Sequence, residues 1–259
     1  MNFSFLGYVG RKTIRFTTHL LNHLAFGYRI TRIFLTPGIG IKTHHRRIIL
    51  EQVYFSCVKA LPLISFVALI MGTMMIIYFS KVSETYSLGR LAVLLIIREI
   101  GPVVTALLII LRSATPLTIE VHGMCAGNRF QTLKTAGLDP IKEVCFPRIV
   151  GVLASVLCLF IVFDLTAIFG GAATVWIVSS IPIVGFLTQL GKAVMLTDIV
   201  VGVVKALCFG VIVSITCMFH GLRLTYQTEP IPMMAPQAAI YCFIYCMIAD
   251  IFISFTFYW

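Results

Sequence analysis

The sequence predicts an all-α integral membrane protein, and three observations carry that prediction. Mean hydropathy is +1.00, with 59% hydrophobic and only 12% charged residues, far outside what a soluble domain of 259 residues shows. Uncharged or nearly uncharged stretches recur at lengths sufficient to cross a bilayer. Finally, the cations are segregated. Nine of the twenty Lys and Arg residues precede Ala60, and five more lie from Arg112 to Arg148. Lys- and Arg-rich segments stay on the cytoplasmic side, so the net charge of +10 reflects topology and not a nucleic-acid partner.

Taken in order, Arg11 to Leu35 reads as a helix with Leu20, Leu21, Leu24 and Tyr28 on one side. It is too polar to span, and an interfacial helix on the cytoplasmic leaflet fits it; an amphipathic helix packed on a soluble partner is the alternative. Arg46 to Lys59 reads as an elbow leading to Pro62 and a first span over Ala60–Ser80. A second span is expected over Leu91–Leu111, then a polar cytoplasmic hairpin from Arg112 to Arg148. Ile149–Val178 reads as a long tilted third span, and Pro182–Leu196 as a short external helix. The fourth span is expected over Ile199–Phe219, with Thr197 and Asp198 as caps, and the loop His220–Pro232 leads to a fifth span over Ala235–Trp259. This division gives residues 1–45 as interfacial helix and linker and 46–259 as a transmembrane domain. Five spans from a cytoplasmic N-terminus put the C-terminus outside. The eight cysteines fall in apolar or cytoplasmic segments, so reduced structural thiols are expected, with no metal site.

Charges inside spans are the features that point to function. Arg98 and Glu99 are adjacent within an apolar stretch, and a charge at that depth costs several kcal/mol unless it meets a partner, a cavity or a substrate path. Neighbours on a helix point about 100° apart, so each must meet something other than the other. Pro102, one turn on, favours a kink of the kind found where a helix lines a cavity. Both residues are therefore expected to face a lipid-accessible cavity. The competing expectation is an interhelical ion pair with Lys205, Asp164 or Asp250 that only assembles the bundle. No Walker A sequence, HExxH or nucleophile elbow occurs, so no catalytic residue is assigned and the chain reads as a non-enzyme. Met124 to Ala136 has helical character and is stopped by Gly137-Leu138-Asp139-Pro140. A short helix displayed between two spans is a surface that an ATPase could grip.

These residues resemble the MlaE/YrbE-type permeases, the membrane subunits of ABC lipid transporters that work with MCE proteins. The likeness rests on Arg98-Glu99-Ile100-Gly101-Pro102 through Leu108, on Arg112, Glu120 and Thr135–Pro140 with Pro147-Arg148, and on the elbow Arg46–Tyr54. It continues through Asp164 with Gly170-Gly171, then Asp198, Lys205 and Phe209-Gly210. The resemblance implies a homodimer with a lipid cavity at its interface, lined here by Arg98, Glu99 and Pro102. It implies an ATPase subunit, which would bind the ATP and Mg, docked on His122, Met124, Arg129, Phe130, Leu133, Lys134 and Asp139. It further implies an MCE-domain protein on the outer face, a STAS-domain protein on the ATPase, and phospholipid carried between a bacterial inner membrane and the outer envelope. Two stretches depart from the family pattern. Gly127-Asn128-Arg129-Phe130-Gln131 stands where a Thr-Glu-Gln-Ile-Asp-like run is usual, and Gln227–Pro232 replaces a Gly-rich loop. Two other classes fit the intramembrane charges: an ion-driven carrier with Arg98, Glu99, Asp164 and Asp250 as a relay, and a scaffold that transports nothing.

Overall fold

The computed structural model describes residues 14, 17–18, 21–33, 43–82, 95–179, 196–224 and 231–258. They are helical throughout apart from short turns, and five helical stretches are long and apolar enough to cross a membrane: Thr43–Met75, Ile96–Ala126, Ile141–Thr174, Leu196–Leu222 and Pro236–Phe257. We number the helices α1 (residues 21–33), α2 (Thr43–Ser56), α3 (Leu61–Val82), α4 (Ile96–Ala126), α5 (Arg129–Thr135), α6 (Ile141–Ser179), α7 (Leu196–Leu224) and α8 (Ile231–Tyr258). The expected external helix Pro182–Leu196 lies outside the described residues except for Leu196, which opens α7.

Each helix carries two stripes, one for the bundle and one for its surroundings. In α1, Phe26, Ile30 and Ile33 turn inward, and His23 bonds Thr216 at 3.1 Å and packs against the rings of Phe219 and Tyr245. The stripe singled out from sequence, Leu21, Leu24 and Tyr28, is exposed, which is the arrangement an interfacial helix needs (Leu20 lies outside the described residues). The elbow α2 likewise exposes Leu50, Tyr54 and Phe55 and turns at Cys57 through one tight helical turn, Val58–Ala60, into α3. The α3 helix packs along α6, with Gly72 set against the backbone of Ala167, a close approach that only a missing side chain allows. All eight cysteines are free, and Cys217 and Cys242 touch at 3.8 Å between sulfurs, far beyond a disulfide bond.

The second span departs from expectation. No hairpin begins at Arg112, because α4 continues to Ala126 and Ser113, Leu117, Thr118, Val121 and His122 are all buried against the bundle. A 31-residue helix is about 46 Å long and so extends well past a hydrocarbon core of about 30 Å. The charges at Arg112 and Glu120 suggested a solvated loop, whereas they sit on a helix whose inner face remains apolar. In α7, Thr197 and Asp198 lie inside the first turn and are not caps. The loop after α7 is also shorter than His220–Pro232, since α7 runs to Leu224 and α8 begins at Ile231.

The two cation-rich segments come together at one end of the bundle. Arg29 of α1 approaches Asp139 at 3.9 Å, and His45 of α2 meets Glu143 of α6 at 2.7 Å.

Candidate functional site

Backbone geometry first makes room for the intramembrane charges. Over Ile96–Ile100 the helix widens by one residue per turn, so the Gly101 N–H donates to the Ile96 carbonyl, five residues back. Pro102 follows and has no N–H to offer. Widened turns of this kind shift the phase of the side chains around them and recur at functional sites. On the facing helix, a Cβ at Gly202 would lie 2.9 Å from the Ile97 carbonyl and 2.8 Å from the Phe160 ring. Glycine at that position therefore sets how closely α4 and α7 approach, at the level of Arg98 and Glu99.

The spacing of the partners does the rest. Asp198 and Lys205 are seven residues apart, two turns along one face of α7, and Asp250 and Ser254 are one turn apart on α8. Arg98 Nε stands 3.1 Å from Asp198 Oδ1. Lys205 is completely buried and its ammonium has three ligands: Glu99 Oε2 at 2.6 Å, Asp250 Oδ1 at 3.0 Å and Ser254 Oγ at 2.7 Å. Ser254 in turn donates to Glu99 at 3.2 Å. The ammonium donates hydrogen bonds to Glu99 and Ser254, and Asp250 adds an ion pair without hydrogen-bond alignment. One cluster thus ties α4, α7 and α8 together, and its five charged groups sum to minus one.

This geometry bears on both expectations for Arg98 and Glu99. Both side chains meet counter-charges within the bundle: Glu99 pairs with Lys205, one of the partners the ion-pair expectation named, and Arg98 pairs with Asp198, which it did not name. Burial is incomplete, with Arg98 23% and Glu99 28% exposed, so each keeps one edge outward. Asp164 does not join. It lies on α6 beside Gly101 and Phe160, and its buried Oδ1 has no hydrogen-bond partner among the described residues. Sequence reasoning missed Ser254 and took Asp198 for a cap; the seven-residue spacing to Lys205 was the available signal.

The residues expected to couple to an ATPase divide into three groups. His122 is buried in α4 and Met124 half-buried, so Met124–Ala136 is not one helix. A break falls at Asn128, whose φ of 58° is left-handed, a conformation asparagine tolerates better than most residues. The separate seven-residue helix α5 has no fully buried residue; Arg129 and Lys134 are exposed and Leu133 is half-covered. Phe130, expected among the docking residues, is half-buried and packs on the core. The stop is as expected: Gly137, at φ 75°, donates to the Lys134 carbonyl and Leu138 to that of Leu133, at 3.0 and 2.9 Å. Asp139 then caps α6, its Oδ1 accepting the Ile141 N–H at 3.1 Å, with Pro140 in the first turn.

A helical membrane bundle with charges neutralised between spans and a small helix presented at its basic end is the build of a membrane permease subunit. The chain belongs to the MlaE permease family, whose model matches residues 49–256. It is 28% identical over 202 residues to the intermembrane phospholipid transport system permease protein MlaE of Haemophilus influenzae, covering 76% of this chain and 77% of that one. A probable ABC transporter permease protein of Rickettsia conorii is 25% identical over 225 residues, covering 85% of each. The chloroplastic protein TRIGALACTOSYLDIACYLGLYCEROL 1 of Arabidopsis thaliana is 25% identical over 183 residues, covering 70% of this chain and 51% of its own length.

Proposed function

We propose that this permease is the membrane subunit of an ABC transporter that moves phospholipid between a bacterial inner membrane and the outer envelope. Membership of the MlaE family carries the reading, and the presentation of α5 supports it. This helix is fixed at both ends by backbone geometry, at Asn128 and at the Gly137–Leu138 stop, while its side chains make few internal commitments. Such a helix suits a separate ATPase, which would bind the ATP and Mg and grip Arg129, Lys134 and the outer edge of Phe130. The cluster at Arg98, Glu99 and Lys205 then faces, by its partly exposed edges, a lipid path formed between two copies of the chain. An MCE-domain protein on the outer face and a STAS-domain protein on the ATPase complete the assembly. The N-terminus is cytoplasmic in this arrangement and the C-terminus periplasmic.

An ion-driven carrier draws less support, because a relay through Asp164 would need to connect with charges that are already paired without it. Purification of the tagged chain from its native membrane tests the proposal. A stably bound ATPase, with hydrolysis stimulated by phospholipid, is the expected result. Isolation of the chain alone from an intact membrane extract would count against it.

A further inference from the structure

A second polar site lies away from the charge cluster, under the elbow. A cavity of about 350 Å3 is walled by α2, the second half of α4 and the start of α6. On its wall Arg148, 5% exposed, donates Nε and Nη2 to one oxygen of Glu120 at 3.2 and 2.8 Å, and Nη1 to the Val144 carbonyl at 2.8 Å. A guanidinium has five N–H donors, so two remain uncommitted among the described residues. Ser113, 2% exposed, also lines the cavity, and its buried Oγ has no hydrogen-bond partner among the described residues. A buried hydroxyl left unpaired costs free energy unless something occupies the space before it. The mouth is acidic. The second oxygen of Glu120 accepts no bond among the described residues, its side chain is 46% exposed, and Glu51 stands at the opposite rim with Arg47 at 3.0 Å.

Depth and charge define the occupant. Ser113 is fourteen residues beyond Glu99, about 21 Å along the helix, so with Glu99 inside a hydrocarbon core about 30 Å thick the stretch from Ser113 to Glu120 reaches headgroup level. Apolar surface adjoins it at Phe55 and Ile48, where acyl chains can lie. The lining carries one cation, Arg148, and two carboxylates, Glu120 and Glu51, with Arg47 beside Glu51 and Lys59 over the Phe55 ring; a wall of both signs suits a zwitterion better than a net anion. Glu120 and Glu51 accept hydrogen bonds, which a primary ammonium donates and a trimethylammonium cannot; the latter is held instead by aromatic cages, and here only Phe55 is at hand. We propose that this cavity binds the primary-amine, zwitterionic headgroup of a phospholipid, with its phosphate on Arg148 and Ser113 and its ammonium on Glu120 and Glu51.

The proposal does not rest on ATPase coupling, since occupancy is a property of the isolated permease. Delipidated full-length protein in detergent, titrated with phosphatidylethanolamine, phosphatidylcholine and phosphatidylglycerol of matched chains and read by native mass spectrometry, tests it. Phosphatidylethanolamine should bind about tenfold more tightly than the other two, the scale of one charge-assisted hydrogen bond gained or lost. Ser113→Val fills the cavity without touching the Arg148–Glu120 pair, and Glu51→Gln alters only the exposed rim. Each should erase most of that preference while thermal stability stays near wild type. Equal binding of the three lipids by the wild type overturns the proposal, as does a preference insensitive to both substitutions, which would mean a lipid held elsewhere. Tight binding of soluble phosphoethanolamine with no lipid retained overturns the lipid as its source.

Discussion

The charge cluster and the α5 hairpin are the two regions where this sequence breaks the pattern of an apolar bundle, and they are built on opposite principles. In the cluster, side chains are committed: Lys205 donates to Glu99 and Ser254 and pairs its charge with Asp250, and Arg98 pairs its charge with Asp198. The backbone there yields, widening at Ile96–Ile100 and thinning to glycine at Gly202 to let those side chains meet. In the hairpin the backbone is committed instead. Asn128, Gly137 and Asp139 fix both ends of α5 and the start of α6, while Arg129 and Lys134 are exposed. Closed side chains hold a bundle together, whereas a closed backbone holds side chains out for another protein.

The comparison would break first at Lys205. Its replacement by Ala leaves Glu99 and Asp250 facing each other inside the bundle, and removing one partner of a buried pair costs about 3–5 kcal/mol. Thermal unfolding in detergent should show the largest loss of any substitution discussed here. The combined variant Glu99→Gln, Lys205→Met, Asp250→Asn removes the charge together with its partners and should recover most of that loss. Recovered abundance together with lost transport would show that the cluster acts on substrate; recovery of both would make it purely an assembly device.

Arg98→Ala comes next. It removes one partner of Asp198, which is 4% exposed, but Arg98 itself keeps an outward edge, so a smaller loss of about 1–3 kcal/mol is expected. Transport should fall further than protein abundance if the exposed edge of the guanidinium meets lipid. Equal falls in the two would confine Arg98 to its pair with Asp198.

How much of this was legible in the sequence follows from the same contrast. The all-α membrane class was readable because hydropathy is a sum over many residues and no single misreading overturns it. The stop at Gly137–Pro140 was readable because turn chemistry is local. The extent of α4 was not. Arg112 and Glu120 resemble a loop when read along the chain, and only the burial of Leu117 and Val121 against α7 shows that the helix continues. The lean of Phe130 on the core was not legible for the same reason, since a seven-residue helix does not disclose which neighbour it packs on. The partners of Arg98 and Glu99 are about 100 and 106 residues away in sequence, and one of them, Asp198, sat where a cap was also plausible chemistry.

On the hairpin side, Asp139→Ala sharpens the comparison by attacking backbone closure. It removes the acceptor for the Ile141 N–H and should cost about 1 kcal/mol, the usual value of a lost helix cap. Gly137→Ala should cost a similar amount, about 1 kcal/mol, because a Cβ is disfavoured at φ 75°. Both should loosen the docking of α5 while leaving α7 and α8 as protected from hydrogen exchange as in the wild type. A spread of faster exchange into α7 would mean that hairpin and bundle are not separable.

The smallest effect on stability and the most telling one for partners belongs to Arg129→Glu. Arg129 is exposed at the first position of α5 and makes no ion pair among the described residues, so the fold should change by less than about 0.5 kcal/mol. An acidic residue in the first helical turn is even mildly favoured by the helix dipole. Any loss of partner binding is then a property of the surface and not of folding. Phe130→Ala is the less clean probe, because its ring packs on the core and truncation disturbs that contact as well. If α5 is the grip for an ATPase, Arg129→Glu should leave the permease inserted and thermally stable, yet release the ATPase on purification and abolish its stimulated hydrolysis. Lys134→Ala, five residues on in the same helix and equally exposed, should weaken the complex less, since it removes a charge without reversing one. An ATPase that stays bound and fully active through both changes would move the docking surface off α5, and the exposed end of α4 near Gly123 would become the place to look.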